Sequence, residues 1–84
     1  MTRLSTRTLH SPDIGTITAY VDSDDLRIVF EFEISRGTLV ECGFTYEDSS
    51  ELAAKYAQLT DEQILTHVQV AVDEFNGTDG RVLH

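Results

Sequence analysis

The fold is decided by residues 26–34, which run LRIVFEFEI, and by residues 40–46, which run VECGFTY. Apolar side chains alternate with polar ones through most of both stretches, and a period of two residues is typical of a strand with one buried face. Gly37 lies in the short connection between them, as in a hairpin. The two stretches therefore predict neighbouring antiparallel strands.

The register of this hairpin follows from its turn. A three-residue connection over 35–37, with glycine in the left-handed position, pairs Phe30 with Cys42 on one face. A two-residue turn would instead place each Phe opposite a Glu, so the longer loop is favoured. On the other face the same register sets Glu31 opposite Glu41.

Upstream residues extend the sheet. Residues 14–21 predict a third strand that pairs back through the acidic turn 22–25, with Ala19 opposite Ile28. Residues 2–9 are rich in β-favouring side chains and predict a fourth strand whose pairing stays open.

After Tyr46 the apolar period changes to about 3.6 residues, which predicts helices. Asp48, Ser49 and Ser50 offer caps for a short helix, and Thr60 with Gln63 forms a capping box for a longer one that Asn76-Gly77 ends. The predicted class is α+β: an antiparallel β-meander of three or four strands, covered on one face by two C-terminal helices. One domain over 1–84 is expected, with the meander at 1–47, the helical cover at 48–76 and a loose tail at 77–84.

Composition narrows the function classes. Fifteen Asp and Glu against six Lys and Arg give a net charge of -9. Nucleic acids and anionic membranes repel such a surface, so we expect neither as a direct partner. The single Cys forms no internal disulfide, and no signal peptide or membrane span is recognised, which predicts a cytoplasmic protein. The same acidity is also typical of a halophile or high-GC source, where it serves solubility.

The candidate binding site is a group of carboxylates on and beside the polar sheet face. Like charges opposite each other on paired strands cost about 0.2–1 kcal/mol, so Glu31 and Glu41 need an explanation. Pairing with Arg7 of the first strand, or hydration alone, would be structural explanations. The functional hypothesis is an acidic surface for a basic protein site, as in an inhibitor or nucleic-acid mimic of the anti-CRISPR or anti-restriction kind. Its predicted residues are Glu31, Glu33, Glu41, Glu47, Asp22, Asp24 and Asp25.

Catalysis and metal binding have little support in the sequence. Cys42 falls on the inward face of its strand, where a Cys is most often a small core residue. His67 flanks the apolar stripe of the longer helix, so a Cys42–His67 pair is conceivable, but the exposed electropositive setting of a reactive thiol is missing. No spacing of Cys and His resembles a zinc site. We therefore predict a non-enzymatic protein with no catalytic residue, metal or cofactor.

The order of a strand meander, Phe44-Thr45-Tyr46, then SSELA at 49–53 and LTDE at 59–62 resembles the layout of IscU-type iron-sulfur scaffold proteins over residues 15–65. The resemblance implies a similar sheet-and-helix arrangement. Members of that family hold their cluster with three cysteines, which this chain lacks, so no ligand residue is carried over.

Two alternative functions follow. In the first, the chain is a degenerate IscU-like scaffold or small-ligand domain, which requires an accessible Cys42. In the second, it is an accessory subunit with a halophile-type surface, which requires molar salt to fold. Val29 and Leu39, predicted to lie exposed on the polar face, could join two copies by sheet stacking, so a monomer and a homodimer both stay open.

Overall fold

The computed structural model describes residues 3–35 and 37–81. Its elements follow one another as β1 (Arg3–Ser11), β2 (Gly15–Asp22), β3 (Arg27–Ser35), β4 (Thr38–Thr45), α1 (Ser49–Gln58) and α2 (Asp61–Arg81). The strands form one antiparallel sheet in the order β1-β2-β3-β4. The predicted α+β meander with two C-terminal helices is confirmed, and it has four strands.

The core lies between one face of the sheet and the two helices. Every second residue of the strands points inward, and the helices place one apolar stripe against them. The largest buried inward side chains come from β2 and β3, and they meet those of α1 and α2. The buried cluster comprises Leu9, Ile17, Ala19, Val21, Ile28, Phe30, Phe32, Leu52, Tyr56, Ile64 and Val68.

The β3–β4 register is the predicted one, but its turn is not. Phe30 pairs with Cys42 and Glu31 with Glu41, whereas Ser35 pairs with Thr38, and the ladder shifts between Glu33 and Ser35. The predicted three-residue turn is therefore wrong. A tighter turn combined with one extra residue in β3, a β-bulge, gives the same pairing further along the strands.

The β2–β3 register differs from the prediction by two residues. Ala19 pairs with Phe30 instead of Ile28, because β2 extends to Asp22, which stands opposite Arg27. Asp22 is thus a strand residue whose Oδ1 accepts the backbone N–H groups of two turn residues, at 3.1 and 3.3 Å. A shift of two residues leaves every side chain on its predicted face.

In β1 a register shift between Leu4 and Arg7 accommodates one extra residue, and Ser5 has a φ of 53°. The shift changes which side chains point inward. Arg7 pairs with Ala19 and so lies on the helix side, while Arg3 stands opposite Asp22 on the outer face. The suggestion that Arg7 reaches Glu31 is therefore wrong, because it assumed a regular strand.

Both helices begin where their caps predict. Asp48 accepts the N–H of Glu51 at 2.7 Å, and Thr60 and Gln63 exchange hydrogen bonds of 2.9 and 3.1 Å. The predicted end at residue 76 is wrong, since α2 continues to Arg81. A glycine inside a helix costs only about 1 kcal/mol, which is not enough by itself to end one. The predicted loose tail is thus helical over 77–81, and 82–84 lie outside the described residues.

Candidate protein-interaction surface

The outer face of the sheet, away from the helices, carries the predicted carboxylates of β3 and β4. Glu31 and Glu41 stand opposite each other there, and Glu33 pairs with Leu39 at the next outward position. The predicted clustering of these side chains is therefore present. Whether these carboxylates can bind a partner depends on how much of their negative charge is neutralised by cationic side chains of the same chain.

Arg3 neutralises Glu31. Its guanidinium nitrogens lie 3.4 and 3.0 Å from the two carboxylate oxygens of Glu31, in a bidentate pair. The Arg3 guanidinium also stacks 4.3 Å above the ring of Tyr20, whose hydroxyl lies 3.5 Å from the same carboxylate. The Glu31 side chain is only 13% exposed. Glu31 is thus part of the folded framework and presents little surface to a partner.

Arg27 is shared between two other carboxylates. One of its nitrogens lies 3.8 Å from Asp22 Oδ2 and 3.8 Å from Glu41 Oε2. Asp22 is completely buried, so its predicted role in binding a partner is wrong: it organises the β2–β3 turn instead. Glu41 keeps 43% of its side chain exposed and remains accessible.

The accessible carboxylates lie on β3 and β4 and in the segments that adjoin these strands, and we call Asp25, Glu33, Glu41 and Glu47 the acidic edge. All four residues are exposed. Asp25 and Glu47 lie at the same end of the sheet, because the Tyr46 N–H donates to the Leu26 carbonyl at 2.8 Å. Asp24, also exposed, neighbours this end in the turn.

β4 runs along this side with one unpaired flank. Within the described residues it pairs only with β3, so alternate backbone N–H and C=O groups face away from the sheet. β1, the other outer strand, is interrupted by its extra residue and by the left-handed Ser5. The regular open edge of the sheet is therefore β4.

Exposed apolar side chains lie beside this edge. Leu39 is 60% exposed, Phe44 39% and Val70 of α2 49%. Between β4 and α2 lies a groove of about 470 Å³, whose walls include Phe44, Leu59, Glu62, Thr66, His67 and Val70. The sequence pattern correctly puts Phe44 on the inward face but does not reveal that the helices leave this outer strand partly uncovered. Val29 is buried instead of exposed, so it cannot join two copies.

Cys42 and His67 do not form a reactive thiol–imidazole pair. Burial raises the pKa of the Cys42 thiol to about 11, which keeps it protonated at neutral pH. The His67 ring packs against Phe30 and Phe44, with centroid distances of 5.4 and 4.6 Å. Over residues 3–35 and 37–81, no group of three His, Cys, Asp or Glu side chains is arranged to hold a metal ion.

A second groove, of about 490 Å³, lies between α1 and the irregular part of β1. Arg7, on the wall of this groove, is held by contacts within the chain. It donates to the Leu59 carbonyl at 2.8 Å and to Asp61 at 3.3 Å, and its guanidinium stacks 4.9 Å from the centre of the Tyr56 ring. The Tyr56 hydroxyl in turn donates to backbone carbonyls of β1 and β2. Arg7 and Tyr56 on the wall of this groove therefore already have partners within the fold.

Neither helix, over its described residues, combines the length and apolar character that crossing a membrane requires. The resemblance to IscU-type scaffolds stays a prediction. Comparison with models of protein families, with curated proteins and with solved structures finds no match to this chain, so its surface has to be interpreted from its own geometry.

Proposed function

We propose that the protein is a non-enzymatic interaction module whose acidic edge binds a basic surface of another protein. The observation that carries the proposal is the charge left after internal pairing. Arg3 and Arg27 are both engaged on the outer face. Of the acidic edge, Asp25, Glu33 and Glu47 form no ion pair with any described residue, and Glu41 shares its arginine with Asp22.

Surplus charge of one sign concentrated on one edge accelerates encounter with a surface of the opposite sign and disfavours partners of the same sign. A net charge of -9 strengthens this selection. Basic protein sites that normally receive phosphate groups have the matching chemistry. An inhibitor or nucleic-acid mimic of the anti-CRISPR or anti-restriction type is the form of this function that we propose, in the cytoplasm, where the free Cys42 stays reduced.

The test compares two charge-matched double variants. Glu33→Gln with Glu41→Gln removes two carboxylates from the acidic edge, whereas Asp73→Asn with Glu74→Gln removes two exposed ones from α2. Each change takes the net charge from -9 to -7, since two negative charges are lost. The probe is a fluorescent oligolysine of about ten residues, and its anisotropy gives Kd at about 0.05 M and about 0.5 M NaCl.

Because an exposed ion pair contributes about 0.2–1 kcal/mol, we expect the acidic-edge variant to weaken binding about threefold to tenfold at low salt. The α2 variant should change Kd less than about twofold, and high salt should abolish the difference. Equal weakening by both variants would mean that the probe senses only total charge, and the proposed site would then be wrong.

A further inference from the structure

We propose, on the basis of the proposed function, that the partner contributes an extended segment that pairs with β4 as a fifth strand, with basic and apolar residues in alternation. Addition of a strand to an open sheet edge supplies affinity through backbone hydrogen bonds and specificity through alternate side chains. Three features of β4 meet these requirements: its backbone, its two faces and its charge.

The backbone of β4 is long enough to serve as a template, and it keeps one register with β3 from Leu39 to Thr45. It spans eight residues from Thr38 to Thr45, and its free flank presents alternate donors and acceptors. The β1 flank is a poorer template, since the extra residue and the left-handed Ser5 interrupt its ladder. β1 also contains no Asp or Glu of its own that could attract a basic segment.

The inward side chains of an added strand would meet apolar surface. They would extend over the groove between β4 and α2, beside the half-exposed Phe44 and Val70. Apolar residues at these alternate positions would cover surface that the helices leave open. The apolar surface on this side disfavours a partner segment that is basic at every position.

The outward side chains would meet the acidic edge. Glu41 points to this face from β4, and Gly43 next to it leaves a place without a side chain. A Lys or Arg opposite Gly43 therefore has room for its long stem, and its head group can reach Glu41 diagonally. Glu33 on β3 lies one strand further in.

A second copy of the chain is a poorer occupant of this edge. Two chains of net charge -9 carry -18 together, and both would bring the same acidic edge to the interface. Such like charges oppose association at low salt. The basic, alternating segment is therefore the occupant that the charges favour, and dimerisation is an outcome that the test must detect.

The first experiment uses a labelled octapeptide of alternating Lys and Val with the full chain. A block peptide of the same composition, with all Lys before all Val, keeps the charge but loses the alternation. Two further versions are N-methylated at the Lys or at the Val amides. Because alternate N–H groups of a strand point in opposite directions, only one methylated set faces β4.

We expect the alternating peptide to bind about tenfold more tightly than the block peptide, and one N-methylated version to lose at least about tenfold while the other keeps its affinity. Phe44→Ala should weaken binding several-fold, and Phe75→Ala, at an exposed Phe on α2, should not. Circular dichroism of both variants checks that they are folded. If the two N-methylated versions bind equally, strand addition is wrong.

The second experiment uses Cys42, the single thiol of the chain, as a native reporter. At about pH 9, where a usable fraction of the thiol is ionised, covering β4 should slow its alkylation by iodoacetamide several-fold with the alternating peptide and leave it unchanged with the block peptide. Native mass spectrometry accompanies the measurement. A dimer that protects Cys42 without any peptide would show that a second copy occupies the edge, which overturns the proposal.

The two proposals fail in different ways. If peptide order and N-methylation have no effect but Glu33→Gln with Glu41→Gln still weakens oligolysine binding, the acidic edge is a binding surface and the fifth strand is wrong. If the double variant has no specific effect on oligolysine, the proposed function itself fails.

Discussion

Gly43 is the residue on which β4 most directly depends. It has a φ of 148°, and a Cβ added there would overlap the carbonyl oxygen of Ile28 on the neighbouring strand. Gly43→Ala should lower the free energy of unfolding by about 2–4 kcal/mol, since neither backbone can move without breaking the ladder.

Gly37→Ala is the matched control for this prediction. Gly37 has a φ of 90°, but a Cβ there meets nothing within 4 Å. Only backbone strain opposes the substitution, so we expect a loss of about 1 kcal/mol. Urea unfolding of both variants measures the difference, and equal losses would contradict the close approach of β4 to β3.

Cys42 makes stability depend on pH in the alkaline range. Burial raises the pKa of its thiol from the ordinary 9.0 to about 11, so the folded state favours the protonated form. This contribution to stability is complete below pH 9 and is lost as the pH rises towards 11. Burial also raises the pKa values of Tyr20, Tyr46 and Tyr56, which adds to the loss near the upper end.

The measurement is urea unfolding of the parent chain and of Cys42→Ala from about pH 8 to about pH 10, below the range in which the tyrosines dominate. The parent chain should lose stability faster than the variant. Parallel curves for the two proteins would mean that the Cys42 environment does not disfavour the thiolate.

Residue patterns in the sequence are sufficient to predict that Glu31 and Glu41 stand opposite each other, but they do not predict which side chain neutralises Glu31. The pair follows from alternation in two neighbouring strands, which is a local signal. Its partner Arg3 reaches Glu31 only because an extra residue in β1 changes which side chains point outward. No sequence signal marks that irregularity, so Arg7 was the expected partner.

At the scale of elements, local capping signals predicted both helix starts, while the turns were only partly predicted. The Thr60–Gln63 capping box satisfies backbone groups that no other part of the helix can satisfy, so its signature is reliable. The β2–β3 turn depends instead on Asp22, which the sequence pattern assigns to the turn but which is buried at the end of β2. The wrong β2–β3 register and the wrong β3–β4 turn both arise where strand and turn compete for a residue.

The capping box makes a quantitative prediction for α2. Thr60→Ala removes the hydroxyl that accepts the Gln63 N–H at 3.1 Å and should cost about 1 kcal/mol of unfolding free energy. Thr66→Ala, at an exposed position within the same helix, serves as the control and should cost little. Thermal or urea unfolding distinguishes them, and a Thr60→Ala variant as stable as the parent would rule out the cap.

For the whole molecule, the net charge of -9 opposes compaction by self-repulsion, while an apolar core between sheet and helices favours it. We expect the chain to be folded in dilute buffer and to gain modest stability with salt, because screening reduces the repulsion. A chain that is unfolded below molar salt would instead support the accessory subunit with a halophile-type surface. Circular dichroism across a salt series measures this.

The overall architecture is the scale at which the sequence was most informative, because alternation followed by helical periodicity determines layers independently of exact register. Which strand stays open is a property of the whole assembly. Here Phe44, on the helix side of β4, stays 39% exposed, and Leu39 is exposed on the outer face. That openness, combined with the acidic edge, is the basis of the proposal that a partner adds a fifth strand.

The most direct measurement is backbone amide hydrogen exchange of the full chain with and without the alternating Lys-Val octapeptide. We predict that the peptide slows exchange along β4, between Thr38 and Thr45, and leaves β1 unchanged. Slowed exchange along β1, or a bound peptide that leaves every β4 amide as fast as before, would contradict it.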